Sequence, residues 1–134
     1  MAKLHVGKPE LGRVAIRWRE DVAEHDYAAA HAYLSLKLGE RRAGEVVTQL
    51  QKAKLAKRRA NDILRAAGLD PAPLDDPGVI KDLIKMIEGK ELSPVLVVSG
   101  DAGADIADGF HRVSLVYRVD PYGEVPLRLA DTAA

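Results

Sequence analysis

The pentapeptide Asp108-Gly109-Phe110-His111-Arg112 gathers a carboxylate, a glycine, an aromatic ring, an imidazole and a guanidinium where the strand-like Ile106-Ala107 gives way to a helical apolar pattern. A helix that starts near Gly109 presents unpaired backbone N–H groups and the positive end of its dipole. A glycine there lets the backbone approach an anion closely. Arg112 can add a two-pronged donor to a phosphate oxygen, and His111 a further donor. Asp108 can cap the helix, orient His111, or hold a metal ion that bridges phosphates. These residue types in this order read as a phosphate-binding turn. Without their surroundings they read more readily as a plain helix start, with Asp108 as the cap, Arg112 as a surface charge and His111 as a satisfied, partly buried side chain.

The surrounding elements must hold that turn in place. "SPVLVV" is a continuous apolar run, the pattern of a strand covered on both sides. A Gly/Asp turn from Ser99 to Gly103 leads into the short strand "ADIA", and Val125 to Leu129 forms a closing strand. Upstream, Asp76 followed by Pro77 marks a helix start: an acceptor for the cap, then a residue whose missing N–H costs nothing at the first helical position. Val79, Ile80, Leu83, Ile84 and Ile87 form the apolar face of this helix, and Gly89 ends it. From Asp76 onward the expected order is helix, strand, strand, helix, strand, an α+β unit.

The first half reads as a helical extension. Tyr27, Ala30, Leu34 and Leu38 recur about one turn apart, so His25 to Leu38 is expected to be a helix ended near Gly39. A second helix groups Ala43, Val46, Val47 and Leu50. A third is expected from Lys57 to Ala67, with Ala60, Ile63, Leu64 and Ala67 inward and Gly68 as its stop. Pro71, Pro73 and Pro77 punctuate the passage to the second half. Before the helices, Val14, Ile16 and Trp18 alternate as a short strand would, and the first dozen residues are expected to be loosely ordered.

Composition narrows the chemistry. The 134 residues suit one domain with one core, and the 20 basic residues balance the 20 acidic ones, so overall charge points to no nucleic-acid or membrane partner. There is no cysteine, which excludes thiol catalysis, disulfides and thiolate metal sites. No apolar run approaches the roughly 20 residues of a membrane span, nor does the N-terminus carry the apolar core of a signal peptide. The expected setting is the cytoplasm. His25 and His31 cannot share a metal ion from one regular helix, being six residues apart and on different faces, so His25-Asp26 reads as a helix cap region. Locally, Lys52, Lys54, Lys57, Arg58, Arg59 and Arg65 make a basic segment that can track a phosphate backbone, or simply be a solvated face without interleaved aromatic residues. Arg65 can also reach back towards the phosphate turn.

From Asp76 to Leu129 the chain resembles the ParB/sulfiredoxin superfamily. "DPGVIKDLIKMIEG" stands for its helix, "LSPVLVV" for its central strand, "IADGFHRVSLVYRV" for its signature turn and helix, and "EVPLRLA" for its closing strand. The resemblance implies a small mixed sheet with helices over residues 76–134, preceded by a helical extension over 1–75 packed on that core. It also implies that Gly109, Phe110, His111 and Arg112 meet the phosphates of ATP or another nucleotide, with Asp108 near its Mg²⁺. Lys81, Asp82 and Lys85 fall on the helix where sulfiredoxins contact phosphate. The two lysines are then candidate phosphate ligands, and Asp82 joins Asp108 and His111 as a candidate catalytic group for phosphotransfer. The other reading of Asp82 is an exposed helix carboxylate. Phe110 stands where sulfiredoxins have their catalytic cysteine and ParB proteins usually a glutamate, so the chemistry of neither is expected. A partition protein or sliding clamp is not expected either, since no helix-turn-helix or dimerisation region follows in the chain. Free serine kinases of the superfamily share the acid and the final arginine of the turn, which leaves phosphotransfer open. Through "EHDYAAAHAYLSL" and "DILRAAGL" the whole chain is similar to small bacterial ParB-like proteins, a likeness that implies a fold rather than an activity. The functions in view are nucleotide or phosphate binding with or without turnover, a non-enzymatic protein-interaction module acting through the helical half, and a DNA-binding or nuclease-like protein.

Overall fold

A computed structural model describes residues 15–133 of the chain, so Val14 of the expected first strand and the first dozen residues lie outside the described residues. Among the described residues there are five helices, α1 (Glu24–Leu38), α2 (Glu40–Lys52), α3 (Ala60–Ala67), α4 (Pro77–Ile87) and α5 (Phe110–Val119). The strands are β1 (Arg17–Trp18), β2 (Ala56–Arg59), β3 (Glu91–Leu92), β4 (Val95–Gly100), β5 (Gly103–Asp108) and β6 (Glu124–Asp131). The fold is α+β. Four strands make one mixed sheet in the order β2-β6-β4-β5, while β1 and β3 form a separate parallel pair. Within the large sheet β4 runs parallel to β6 and antiparallel to β5, and β6 runs antiparallel to β2.

Strand alternation divides the core. Leu96 and Val98 of β4 point to the side covered by α1 and α2, where they meet Ala30, Leu34, Ala43, Val46 and Leu50. Val95 and Val97 point the other way, against Ile63 and Leu64 of α3 and Val113 and Val116 of α5. Both faces of β4 are therefore buried, as an uninterrupted apolar run requires. A third cluster joins Val79 and Met86 of α4 to Leu92 of β3 and Leu115 of α5. This last contact brings α4 and α5 together beside the end of β5.

Two expectations change. The third helix begins at Ala60 rather than Lys57, because residues 56–59 form β2 and pair with residues 124–127 of β6. The N-terminal half thus contributes an edge strand as well as helices. On α4, Val79 and Met86 are buried, whereas Ile80, Ile84 and Ile87 are 39%, 49% and 59% exposed. The apolar residues of this helix span nearly half its circumference, and the core takes up only one side of that arc.

Local signals explain where the site-bearing helices start. Asp76 caps α4 as its sequence implies, its carboxylate accepting from the N–H of Gly78 at 2.9 Å and of Val79 at 3.3 Å. At the start of α5, Gly109 has φ 113°, a left-handed conformation that a side chain resists. A Cβ there would also lie 2.5 Å from Val95 Cγ1.

Candidate functional site

A cavity of about 370 Å³ opens where α4, the start of α5, β3 and the approach to α1 meet. Asp108, Gly109, Phe110, His111 and Arg112 line it from the β5–α5 turn, and Lys81, Asp82 and Lys85 from α4. The residues of the turn and of α4 singled out in the sequence as candidate ligands or catalytic groups come together there. Arg19, His25, Asp26 and Ser93 line it too, from segments that the sequence did not connect with the turn. Arg65 is elsewhere, pairing with Asp62 at 3.3 Å on the solvent face of α3.

Strand β5 delivers Asp108 to the rim, and the glycine turn then aims the start of α5 at the cavity. No side chain caps this helix; the first helical bond at its start runs from Val113 N–H to Gly109 O at 3.0 Å. His111 leans back across α4. Its Nε2 lies 3.2 Å from Asp76 Oδ2, and a Cβ on Gly78 would sit 2.6 Å from the imidazole, so the glycine makes room for the ring. The His111 side chain is still half exposed. Phe110 packs beside it with ring centroids 5.6 Å apart, and its other contacts reach the cores under α4 and α5.

Arg112 has a different environment from the free phosphate donor that the turn suggests. Its side chain is only 11% exposed. Nη1 donates to Ser93 O at 2.6 Å, Asp26 Oδ2 at 3.0 Å and Pro94 O at 3.2 Å, while Nη2 donates to Asp108 Oδ2 at 2.7 Å. The guanidinium thus clamps α1, the β3–β4 connection and the end of β5 together. Asp26, 8% exposed at its side chain, also lies 3.2 Å from His25 Nε2. The clue in the sequence was its register: Asp26, Ala30 and Leu34 fall one turn apart on the buried stripe of α1.

The acids of the cavity differ in consequence. Burial raises the Asp108 carboxyl above its ordinary range, the adjacent Asp26 adds to this, and Arg112 opposes it. Burial also raises Asp82, against the attraction of Arg112, Lys85, His111 and Lys81. Asp108 and Asp26 share one guanidinium, but among the described residues no hydrogen bond or ion pair within the cavity occupies Asp82. Lys81 and Lys85 likewise extend from α4 without a carboxylate partner in the cavity among the described residues.

Among the described residues no three His, Asp or Glu side chains converge as a metal site. With Asp108 and Asp26 both bonded to Arg112, the donor set does not fit a resident divalent ion. His31, the other histidine of α1, lies 3.7 Å from Glu40 instead of joining His25. The basic segment is divided among the end of α2, the edge strand β2 and α3, with Lys57, Arg58 and Arg59 exposed along β2. No described helix is long and apolar enough to cross a membrane. No protein-family model matches the chain, and neither do any curated protein or solved structure.

Proposed function

We propose that this protein binds a phosphate-bearing small molecule, foremost a nucleotide, in the cavity at the start of α5. The uncapped N-terminus of α5 supports this most, because it opens into a cavity that Lys81, Lys85, His111 and Arg19 also line. Backbone N–H groups, the helix dipole and the lysine ammonium groups act together on an anion there. In this reading the phosphates lie over Gly109 and Phe110, and the two lysines and His111 close around them. Arg112 holds the floor of the site rather than the ligand. On this reading the turn and its flanking elements belong to a ParB/sulfiredoxin-like protein of the cytoplasm. Should the ligand react, the fold would act by positioning and charge stabilisation, with Asp82 as the available proton acceptor. Any Mg²⁺ would arrive with the nucleotide.

Thermal unfolding with ATP, ADP, CTP, GTP or pyrophosphate, each with and without Mg²⁺, tests the reading. A ligand at a hundred times its dissociation constant stabilises the folded state by about 2.7 kcal/mol. The rise should shrink when Lys81 and Lys85 are both replaced by alanine, since neither supports the core. Absence of any rise at millimolar concentrations would count against the proposal.

One observation favours a second reading, a protein-interaction module. Ile80, Ile84 and Ile87 form an exposed apolar line on α4, and Leu36 on α1 is 89% exposed. A partner seated on the helices would leave the cavity as an anion site without turnover.

A further inference from the structure

We propose that Asp82 makes the cavity selective for oxyanions that carry a dissociable proton, phosphate and phosphomonoesters, over fully ionised anions such as sulfate. This rests on the anion-binding reading of the cavity and adds its ligand class. Asp82 follows Lys81 on α4, one turn before Lys85, and lines the same cavity as Gly109 and His111. It shares the wall of the cavity with Lys81, Lys85, His111 and Arg112. Asp26 and Asp108 are bonded to Arg112, so Asp82 is the half-buried acid of the cavity left with its acceptor oxygens open.

An open carboxylate beside bound anion oxygens brings lone pairs against lone pairs, unless one of the ligand oxygens carries a hydrogen. Slightly below neutral pH a phosphomonoester, whose second pKa is about 6, retains a P–OH in a substantial fraction of molecules, and inorganic phosphate retains it in a larger one. That P–OH donates to Asp82, a short charge-assisted hydrogen bond, while the remaining oxygens accept from the α5 N–H groups and the lysines. Sulfate has the same size and shape but no proton to donate. It meets the same cations and is repelled by Asp82. The lysines supply affinity and the acid supplies discrimination, as specificity generally requires a repulsive element beside the attractive ones.

The experiment is calorimetric titration, slightly below neutral pH and at constant ionic strength, of inorganic phosphate, adenosine monophosphate and sulfate into wild-type protein and Asp82→Asn. Wild type should bind phosphate at least about tenfold more tightly than sulfate, a ratio equivalent to about 1.4 kcal/mol. In the variant the ratio should fall towards one, chiefly because sulfate binds better. If adenosine monophosphate binds and inorganic phosphate does not, the ligand is a phosphomonoester whose organic part is required, and the sulfate comparison is then made with adenosine 5′-sulfate. Equal wild-type affinity for phosphate and sulfate overturns the role of Asp82 while leaving an anion site. An unchanged ratio in Asp82→Asn overturns it as well. Failure of every anion to bind wild type overturns the underlying reading instead. The comparison of anions on wild type needs no variant, so it stands even if Asp82→Asn folds poorly.

Discussion

At the residue scale, Arg112 and Asp82 show how one cavity gives charged side chains opposite tasks. Arg112 is nearly buried and bonded to two carboxylates and two carbonyls. Replacing it by alanine strands two adjacent acids in a poorly solvated place. Breaking a buried pair from one side costs about 3–5 kcal/mol, so Arg112→Ala should lower the urea midpoint severely, and adding Asp26→Asn should recover part of the loss. Asp82 works in the other direction. Its carboxyl is raised by burial, so the native state binds its proton more readily than the unfolded state does. The associated stability is full below the unfolded pKa and declines as pH rises through the folded one. Asp82→Asn should therefore be more stable than wild type at neutral pH, and this advantage should fade in acid below the ordinary aspartate value of 3.8. Denaturant titrations at several pH values would measure it; a variant less stable at neutral pH would show that the carboxylate has a stabilising partner. The glycine turn was legible in the sequence because Gly109, His111 and the apolar helix pattern are contiguous. The register of Asp26 on α1 hinted at its burial, but its place in the site was not legible, because its partner Arg112 lies 86 residues away and only the folded chain brings them together.

At the element scale, period and punctuation located most pieces but left the choice of face and of the edge strand open. Helix α2 carries a narrow apolar stripe, so its buried side followed from spacing; α1 is apolar nearly all round, and only the recurrence of Tyr27, Ala30 and Leu34 picked out its buried side. Helix α4 gives no such cue: Val79 neighbours Ile80, Leu83 neighbours Ile84, and Met86 neighbours Ile87, so either side could satisfy a core. The fold selects Val79 and Met86. Met86→Ala should accordingly cost about 2–5 kcal/mol, whereas Ile84→Ser should stay within about 0.5 kcal/mol in chemical denaturation. A large loss at Ile84 would mean that the exposed line is covered in solution. Strand β2 escaped detection for another reason. "AKRR" has no apolar alternation, because this edge strand takes its place from hydrogen bonds to β6 and keeps its charges in water. Such a strand leaves almost no trace in hydrophobic pattern.

At the scale of the whole molecule, the two halves of the sequence share one sheet and one site. The N-terminal half adds β2 to the sheet edge, covers one face of β4 with α1 and α2, and sends Asp26 to Arg112. A boundary near residue 75, natural from the prolines, divides the sequence without dividing the core. Unfolding should then be a single transition, with helical signal and Trp18 fluorescence changing together. Two separated transitions would show that the halves are independent. Turn chemistry identified the cavity, but its floor depends on long-range pairing that no local pattern records.

The shared guanidinium also constrains how this chain can change over generations. A relative that loses the arginine while keeping both acids inherits an unstable protein, and one that loses a single acid alters the charge at the rim of its cavity. Asp26, Asp108 and Arg112 should therefore be retained or replaced as a set, leaving a pattern of joint substitution between positions 86 and four residues apart.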